Sequence, residues 1–324
     1  MKIVVFGAGA VGGHIAARMA AAGAAISVVA RGAHLAAIRS HGITLKAGNE
    51  TLVGKVDATD DARELGSDQD LVIIAIKSTL LAATLPAIAP LIGSRTRVVF
   101  AMNGLPWWFC EGLSIAAPPN FDPGGVLDRF IPRERLIWCV VHAGGTIMEP
   151  GVIVNTTPGK NALALGYSDG REDEPILAAA QLFNEAGLPT TVSPEIRTRI
   201  WLKLLMNAAH SMVATATDRS GVDTVLDPET RALTVACMHE ILAVGRAIGL
   251  RVEADPVALT EPSRHSTHRT SFLQDLKAGR PLELATTVLA VRDIARACDI
   301  ATPHLSAVAA IVAALSADAS RTAA

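Results

Sequence analysis

Through the first half of the chain, short apolar runs alternate with helical periodicity. Lys2-Ile-Val-Val-Phe6 predicts a buried strand, residues 10–22 a helix, and Ile26-Ser-Val-Val-Ala30 a second strand. Leu71-Val-Ile-Ile-Ala-Ile76 predicts the next strand, followed by a helix over 79–92 and a strand over 97–100. Strands that are apolar throughout belong to a parallel sheet covered on both faces. Further strands are expected at 137–142, 151–155, 163–165 and 190–192, with a helix at 176–186. Residues 111–132 are rich in Pro, Gly and Asp and read as a long loop, a length that often carries function.

Past Pro194 the period changes to that of helices, expected at 195–216, 229–248, 269–277, 282–298 and 304–317. Gly249 and Gly279 stand where helix C-caps are expected. No strand signal interrupts this half. The pattern predicts an α/β chain: a doubly wound parallel-sheet domain at 1–194 and an all-helical domain at 195–324.

Composition narrows the function. A length of 324 residues suits two domains and needs no disulfide staples. Half the residues are apolar and 19% are charged, which excludes a disordered chain. The net charge of −2, from 29 basic and 31 acidic residues, gives no footprint for nucleic acid, and 4% aromatics gives no base-stacking surface. Cys110, Cys139, Cys237 and Cys298 lack Cys-x-x-Cys spacing and read as reduced, mostly buried thiols of a cytoplasmic protein. His14, Arg18 and several glycines break the apolar N-terminal stretch, and 307–315 is too short to span a bilayer, so no membrane segment is expected.

Gly7-Ala8-Gly9-Ala10-Val11-Gly12 follows the first strand directly and opens a helix. Each glycine has a steric reason. Gly7 makes the tight turn, Gly9 lets backbone approach a pyrophosphate, and Gly12 lets the helix pack on the strand. The spacing alone is weak evidence, but strand before, helix after and a second strand at the usual distance make a dinucleotide site. At the end of that second strand an NAD enzyme carries Asp or Glu; this chain has Ala30-Arg31-Gly32. Arg31 suits a 2′-phosphate, with His34 and Arg39 nearby as further positive charge, so NADP is the expected cofactor. Lys77 and Asn103 follow the next two strands, at the sheet edge where open α/β folds bind ligands. Either one alone reads equally well as a turn residue.

In the helical half, Lys203, Asn207 and Ser211 recur at i, i+4 and i+8, so an α-helix places them on one face among Trp201, Leu204, Leu205 and Met212. A polar stripe in so apolar a helix faces solvent or a polar cleft. A lysine in a cleft beside a dinucleotide suits proton transfer.

The chain resembles the ketopantoate reductase family over nearly its full length. The matching residues are Gly7-x-Gly9-x-x-Gly12, Arg31, Ile76-Lys77, Asn103-Gly104, Trp201-x-Lys203-Leu-x-x-Asn207, and Ser271-Phe-Leu-Gln-Asp275 followed by Glu283. The resemblance implies a Rossmann-like first domain and NADPH-dependent reduction of a 2-oxo acid in a cleft, 2-dehydropantoate to pantoate being the family reaction. It implies Lys203 as proton donor, Glu283 as the acid that orients the site, and Asn207, Ser211 and Ser271 as substrate ligands. Asn103 would touch cofactor and substrate, and Gly144 would contact the cofactor through its backbone. A homodimer is compatible with such a helical domain, and no sequence patch fixes it.

The departures bear on the substrate. Ser211 stands where the family often has a second Asn, and Trp107-Trp108-Phe109 stands where a small residue is usual. A relative acting on another 2-oxo or 2-hydroxy acid, with an apolar or aromatic substituent facing Trp107 and Trp108, is the alternative. An NADP-binding redox sensor without turnover is the alternative of another class, and the presence of Lys203 and Glu283 argues against it. Arg264-His265-Ser-Thr-His268-Arg269 lacks further ligands at metal-site spacing, so it reads as a polar helix start or a basic rim and no metal is expected.

Overall fold

The computed structural model describes residues 1–157, 159–265 and 269–322. Two compact units divide the chain: Met1–Asn103 with Gly125–Ile196, and Gly104–Gly124 with Arg197–Ala324. A division at 194 has one crossing; here the chain crosses three times, because 104–124 belongs with the helices.

The first unit is built on an eight-stranded sheet. Its strands are β1 (Ile3–Phe6), β2 (Ile26–Val29), β5 (Asp57–Thr59), β6 (Leu71–Ile74), β7 (Arg97–Phe100), β8 (Leu136–His142), β11 (Ala162–Gly166) and β12 (Thr190–Val192). Their order is β12-β11-β8-β7-β6-β1-β2-β5. All neighbours are parallel except β11 against β8. β1 and β6 are buried at every residue, as their unbroken apolar runs require. Strand order reverses about β1, with Ile3 opposite both Ile26 and Leu71. That reversal opens a crevice at the carboxyl ends of β1 and β6.

A second sheet, ordered β4-β3-β10-β9, comes from β3 (Ile43–Ala47), β4 (Glu50–Gly54), β9 (Gly145–Glu149) and β10 (Val152–Asn155). Helix α1 (Ala10–Ala21) touches strands of both sheets. Two adjacent glycines make that possible. A Cβ on Gly12 would lie 1.9 Å from the Gly7 carbonyl oxygen, on the side of the large sheet. A Cβ on Gly13 would lie 2.8 Å from Ile153 of β10, on the side of the small one. The other helices of this unit are α2 (Gly32–His41), α3 (Leu81–Ile88), α4 (Val126–Phe130) and α5 (Glu174–Glu185). In this unit the sequence reading missed α2, β3, β4, β5, β9 and α4, the last inside the segment read as a loop; all are short and only partly buried.

The second unit is helical: α6 (Ile196–Leu204, from Arg197 on), α7 (Ser211–Ala216), α8 (Gly221–Leu226), α9 (Pro228–Ala247), α10 (Pro256–Thr260), α11 (Ser271–Lys277), α12 (Val288–Ala297) and α13 (Pro303–Thr322). Gly249 and Gly279 follow α9 and α11 with φ of +84° and +62°, the left-handed backbone of helix C-caps. Trp201 anchors the core. Its indole N–H donates to the Ile241 carbonyl at 3.0 Å, and Gly245 leaves room for the ring. Among the described residues no helix is long and apolar enough to cross a membrane.

Residues 104–124 are held in this unit by buried aromatics. Phe109 stacks on Trp201 at 5.6 Å, and Arg197 lies over Trp108 while donating to the Phe109 and Glu111 carbonyls. Trp107 and Trp108 are buried core residues, 7% and 1% exposed. Side chains this large are drawn into the core by the surface they remove from water.

Candidate active site

In the first unit, the expected cofactor residues gather at one sheet edge. Gly7 ends β1, Arg31 follows β2, Lys77 follows β6 and Asn103 follows β7. Gly7 has φ +99°, and a Cβ there would sit 2.7 Å from the Ala75 carbonyl oxygen, so neither the turn nor the neighbouring strand admits a side chain. Gly9 differs: its Cβ direction is open space.

Helix α1 starts at Gly9 with no side-chain cap and no acid in its first turn. Asp173, Asp227 and Thr270, by contrast, cap α5, α9 and α11 by accepting from backbone N–H groups. The first N–H groups of α1, around Ala10, Val11 and Gly12, are therefore left for an anion. Ala8 is buried beneath the turn, so the loop contributes through its backbone. An open approach at Gly9, unspent donors and a positive helix end fit a pyrophosphate.

Arg31 is exposed at the N-cap of α2, with no carboxylate beside it in sequence. The two neighbours expected to add positive charge make hydrogen bonds of their own. Arg39 donates to the Ala58 carbonyl at 2.9 Å. His34 accepts from the Gly151 N–H at Nδ1 (2.9 Å), and its Nε2 pairs with the Ala8 carbonyl at 2.7 Å. An imidazole accepting at one nitrogen and donating from the other is neutral. Gly144, expected to offer its backbone, donates its N–H to Thr157 Oγ1 at 2.8 Å and accepts from the Thr156 N–H at 3.0 Å.

One turn into α1, His14 is 3% exposed and accepts from Arg18 Nε at 3.2 Å. Burial, and secondarily the Arg18 charge, pushes its pKa down to about 4.

In the second unit, Lys203 lies near the end of α6 and is half-buried. The expected uninterrupted helix over 195–216 is replaced over Leu205–His210 by a π turn. Its i→i+5 bonding sets aside the α-helical spacing from which one polar face was inferred. Asn207, inside the π turn, is half-buried like Lys203, whereas Ser211, at the start of α7, is 8% exposed. Ser271 is exposed at the first position of α11. Glu283 is half-buried and precedes α12 instead of lying within it.

The helix begins late because the Thr286 carbonyl turns out to accept from the Leu105 N–H at 2.6 Å. Gly104, with φ +88°, makes this approach: a Cβ would meet Thr286 Oγ1 at 2.5 Å. The Glu283 carbonyl in turn accepts from Thr287 Oγ1 at 2.6 Å. Residues 266–268, including His268 of the expected basic segment, lie outside the described residues.

A doubly wound sheet with an uncapped Gly-rich helix start, combined with a helical unit carrying a half-buried lysine, defines a two-unit oxidoreductase. Two family profiles specify it further: ketopantoate reductase PanE/ApbA matches residues 3–170, and the C-terminal part of the same family matches 195–316. A 2-dehydropantoate 2-reductase of Mesorhizobium japonicum is 38% identical over 321 residues, 96% of this chain and 97% of its own. The chain belongs to the ketopantoate reductase family. A structure from Ralstonia solanacearum, solved as a candidate ketopantoate reductase, is 36% identical with a TM-score of 0.88 over 98% of both chains. D-mandelate dehydrogenase, solved with NADH and anilino(oxo)acetate, is 20% identical with a TM-score of 0.81 over 98% of this chain and 99% of its own, a likeness of fold.

Proposed function

We propose that this chain reduces 2-dehydropantoate to pantoate with NADPH. The observation that carries the reading is Lys203, half-buried before a π turn, in a chain similar from end to end to a 2-dehydropantoate 2-reductase. Two facts support NADPH over NADH: Arg31 is exposed after β2, and no carboxylate adjoins it in sequence to take the ribose hydroxyls.

The backbone around Gly9 to Gly12 holds the pyrophosphate, Arg31 takes the 2′-phosphate, and Lys77 and Asn103 serve the nicotinamide half. The nicotinamide, when bound, supplies the hydride that goes to C2 of the substrate. Lys203 Nζ gives its proton to the C2 oxygen as negative charge develops there. Glu283 orients the site, and Asn207 and Ser271 hold polar groups of the substrate. The test is NADPH absorbance with a panel of 2-oxo acids. Oxidation with 2-dehydropantoate supports the reading. Turnover only with another 2-oxo acid reassigns the substrate, and tight NADPH binding without turnover on any of them reduces the chain to a binding module.

A further inference from the structure

The Gly-rich turn needs more than glycines to present its donors, because glycine is the residue most free to leave a conformation. The structure assigns that task to His34: we infer that it is a positioning residue, which aims the Gly9 N–H by holding the peptide group before it. This rests on the dinucleotide reading above and adds a residue to it.

His34 belongs to α2, close behind Arg31, yet its two ring nitrogens reach segments 26 and 117 residues away. Nε2–H donates to the Ala8 carbonyl at 2.7 Å, and Nδ1 accepts from the Gly151 N–H at 2.9 Å. The second bond fixes the tautomer that makes the first possible. Gly151 is a firm anchor. It is buried, has φ +80°, and its carbonyl accepts from the Thr44 N–H at 2.9 Å. The ring therefore ties the Gly-rich turn to the β9–β10 turn of the small sheet.

The Ala8–Gly9 peptide is planar and trans, so its C=O and N–H point in opposite directions. Holding the Ala8 oxygen toward His34 turns the Gly9 N–H away from it. The Gly9 N–H makes no backbone hydrogen bond among the described residues. Gly9 is also the glycine of the motif whose side-chain direction is open. An oriented donor thus stands beside an open approach, as an anion site requires.

The test compares NADPH and NADH dissociation constants, read by cofactor fluorescence, for wild type, His34→Leu and His34→Gln, with melting temperature as a check on the fold. Leucine removes both bonds. Glutamine keeps an amide donor and acceptor of similar reach. With two hydrogen bonds lost, His34→Leu should raise the dissociation constant about 10-fold. It should do so equally for NADPH and NADH, because the turn serves the part they share. His34→Gln should recover most of that affinity. A His34→Leu protein with a lower melting temperature but unchanged affinity overturns the inference, as does a glutamine variant no better than leucine. A loss confined to NADPH also overturns it, since His34 would then act on the 2′-phosphate through Arg31. Wild-type protein that binds neither dinucleotide removes the underlying reading as well, and is told apart by that result alone.

Discussion

In the first unit the proposed pyrophosphate site is made of backbone; in the second the proposed chemistry belongs to side chains. Gly7, Gly9 and Gly12 shape a turn whose working groups are amide N–H donors, and the surrounding contacts leave no choice of residue at Gly7 and Gly12. Lys203, Asn207 and Glu283 depend instead on a π turn and on a helix that starts late, so their placement rests on packing around them. A backbone site is a steric requirement and shows itself as glycine. A side-chain site is a matter of orientation, which residue type does not encode.

The sharpest break in that contrast is Lys203→Ala. It removes the proposed proton donor and should lower kcat by ~10²–10⁴. NADPH affinity should barely move, because the Gly-rich turn lies in the other unit. Single-turnover hydride transfer with bound NADPH separates chemistry from product release. Transfer within a few-fold of wild type would remove Lys203 from the mechanism.

Legibility followed the same division. The strands at 3–6 and 71–74 were readable because burial on both faces leaves no polar position, and 97–100 because only its first residue, Arg97, is polar. The Gly-rich motif was readable because its steric demands are local. The π turn was not: Leu205 to His210 are residues an α-helix accepts equally well. Nor was the late start of α12, which depends on Leu105, far away in sequence, taking the Thr286 carbonyl. Trp107 and Trp108, beside a motif, invited a reading as a face for a substrate substituent, and their burial is visible only in the fold. Gly13 escaped notice, and His34 was noticed only as charge, for different reasons. The Gly12-Gly13 doublet was a signal that the motif itself masked, while a histidine near Arg31 read naturally as added charge.

Both units also bury a histidine, and acid asks which burial costs more. Burial lowers the pKa of His14 in α1 to about 4, and lowers that of His210 in the π turn against an opposing bond to the Gly221 carbonyl. An unfolded histidine titrates near 6.5, so between pH 6.5 and 4 the unfolded chain binds the proton that folded His14 refuses. The stability from neutral His14 is complete above pH 6.5 and lost as pH falls through that window. A shift of this size is worth roughly 3 kcal/mol. Denaturant unfolding from pH 7 to 4 should therefore show a shallower pH slope in His14→Gln than in wild type. Identical slopes would place the acid sensitivity elsewhere.

Arg31→Asp examines the one side chain on which the first unit's cofactor choice depends. A charge-assisted contact to a phosphate contributes ~1.5–3 kcal/mol, so KM for NADPH should rise roughly 10- to 150-fold while NADH use is spared or improved. An unchanged preference would mean that Arg31 does not read the 2′-phosphate.

The finest test lies within the motif itself, where two of the glycines serve different ends. A Cβ on Gly12 would lie 1.9 Å from the Gly7 carbonyl oxygen, so Gly12→Ala forces backbone apart and should cost the fold. A Cβ on Gly9 meets nothing within 4 Å. Gly9 has φ −64° and ψ −167°, an extended conformation open to alanine. Gly9→Ala should therefore melt at or slightly above the wild-type temperature, since alanine restricts the unfolded chain. Its methyl group would nevertheless occupy the space through which backbone approaches the pyrophosphate, and overpacking of that kind should weaken both NADPH and NADH about 10-fold. Melting curves without cofactor, paired with dissociation constants for the two dinucleotides, separate the outcomes. A Gly9→Ala protein that melts early would make Gly9 a folding residue like Gly12. One that melts normally and binds both cofactors as tightly as wild type would move the pyrophosphate away from this turn.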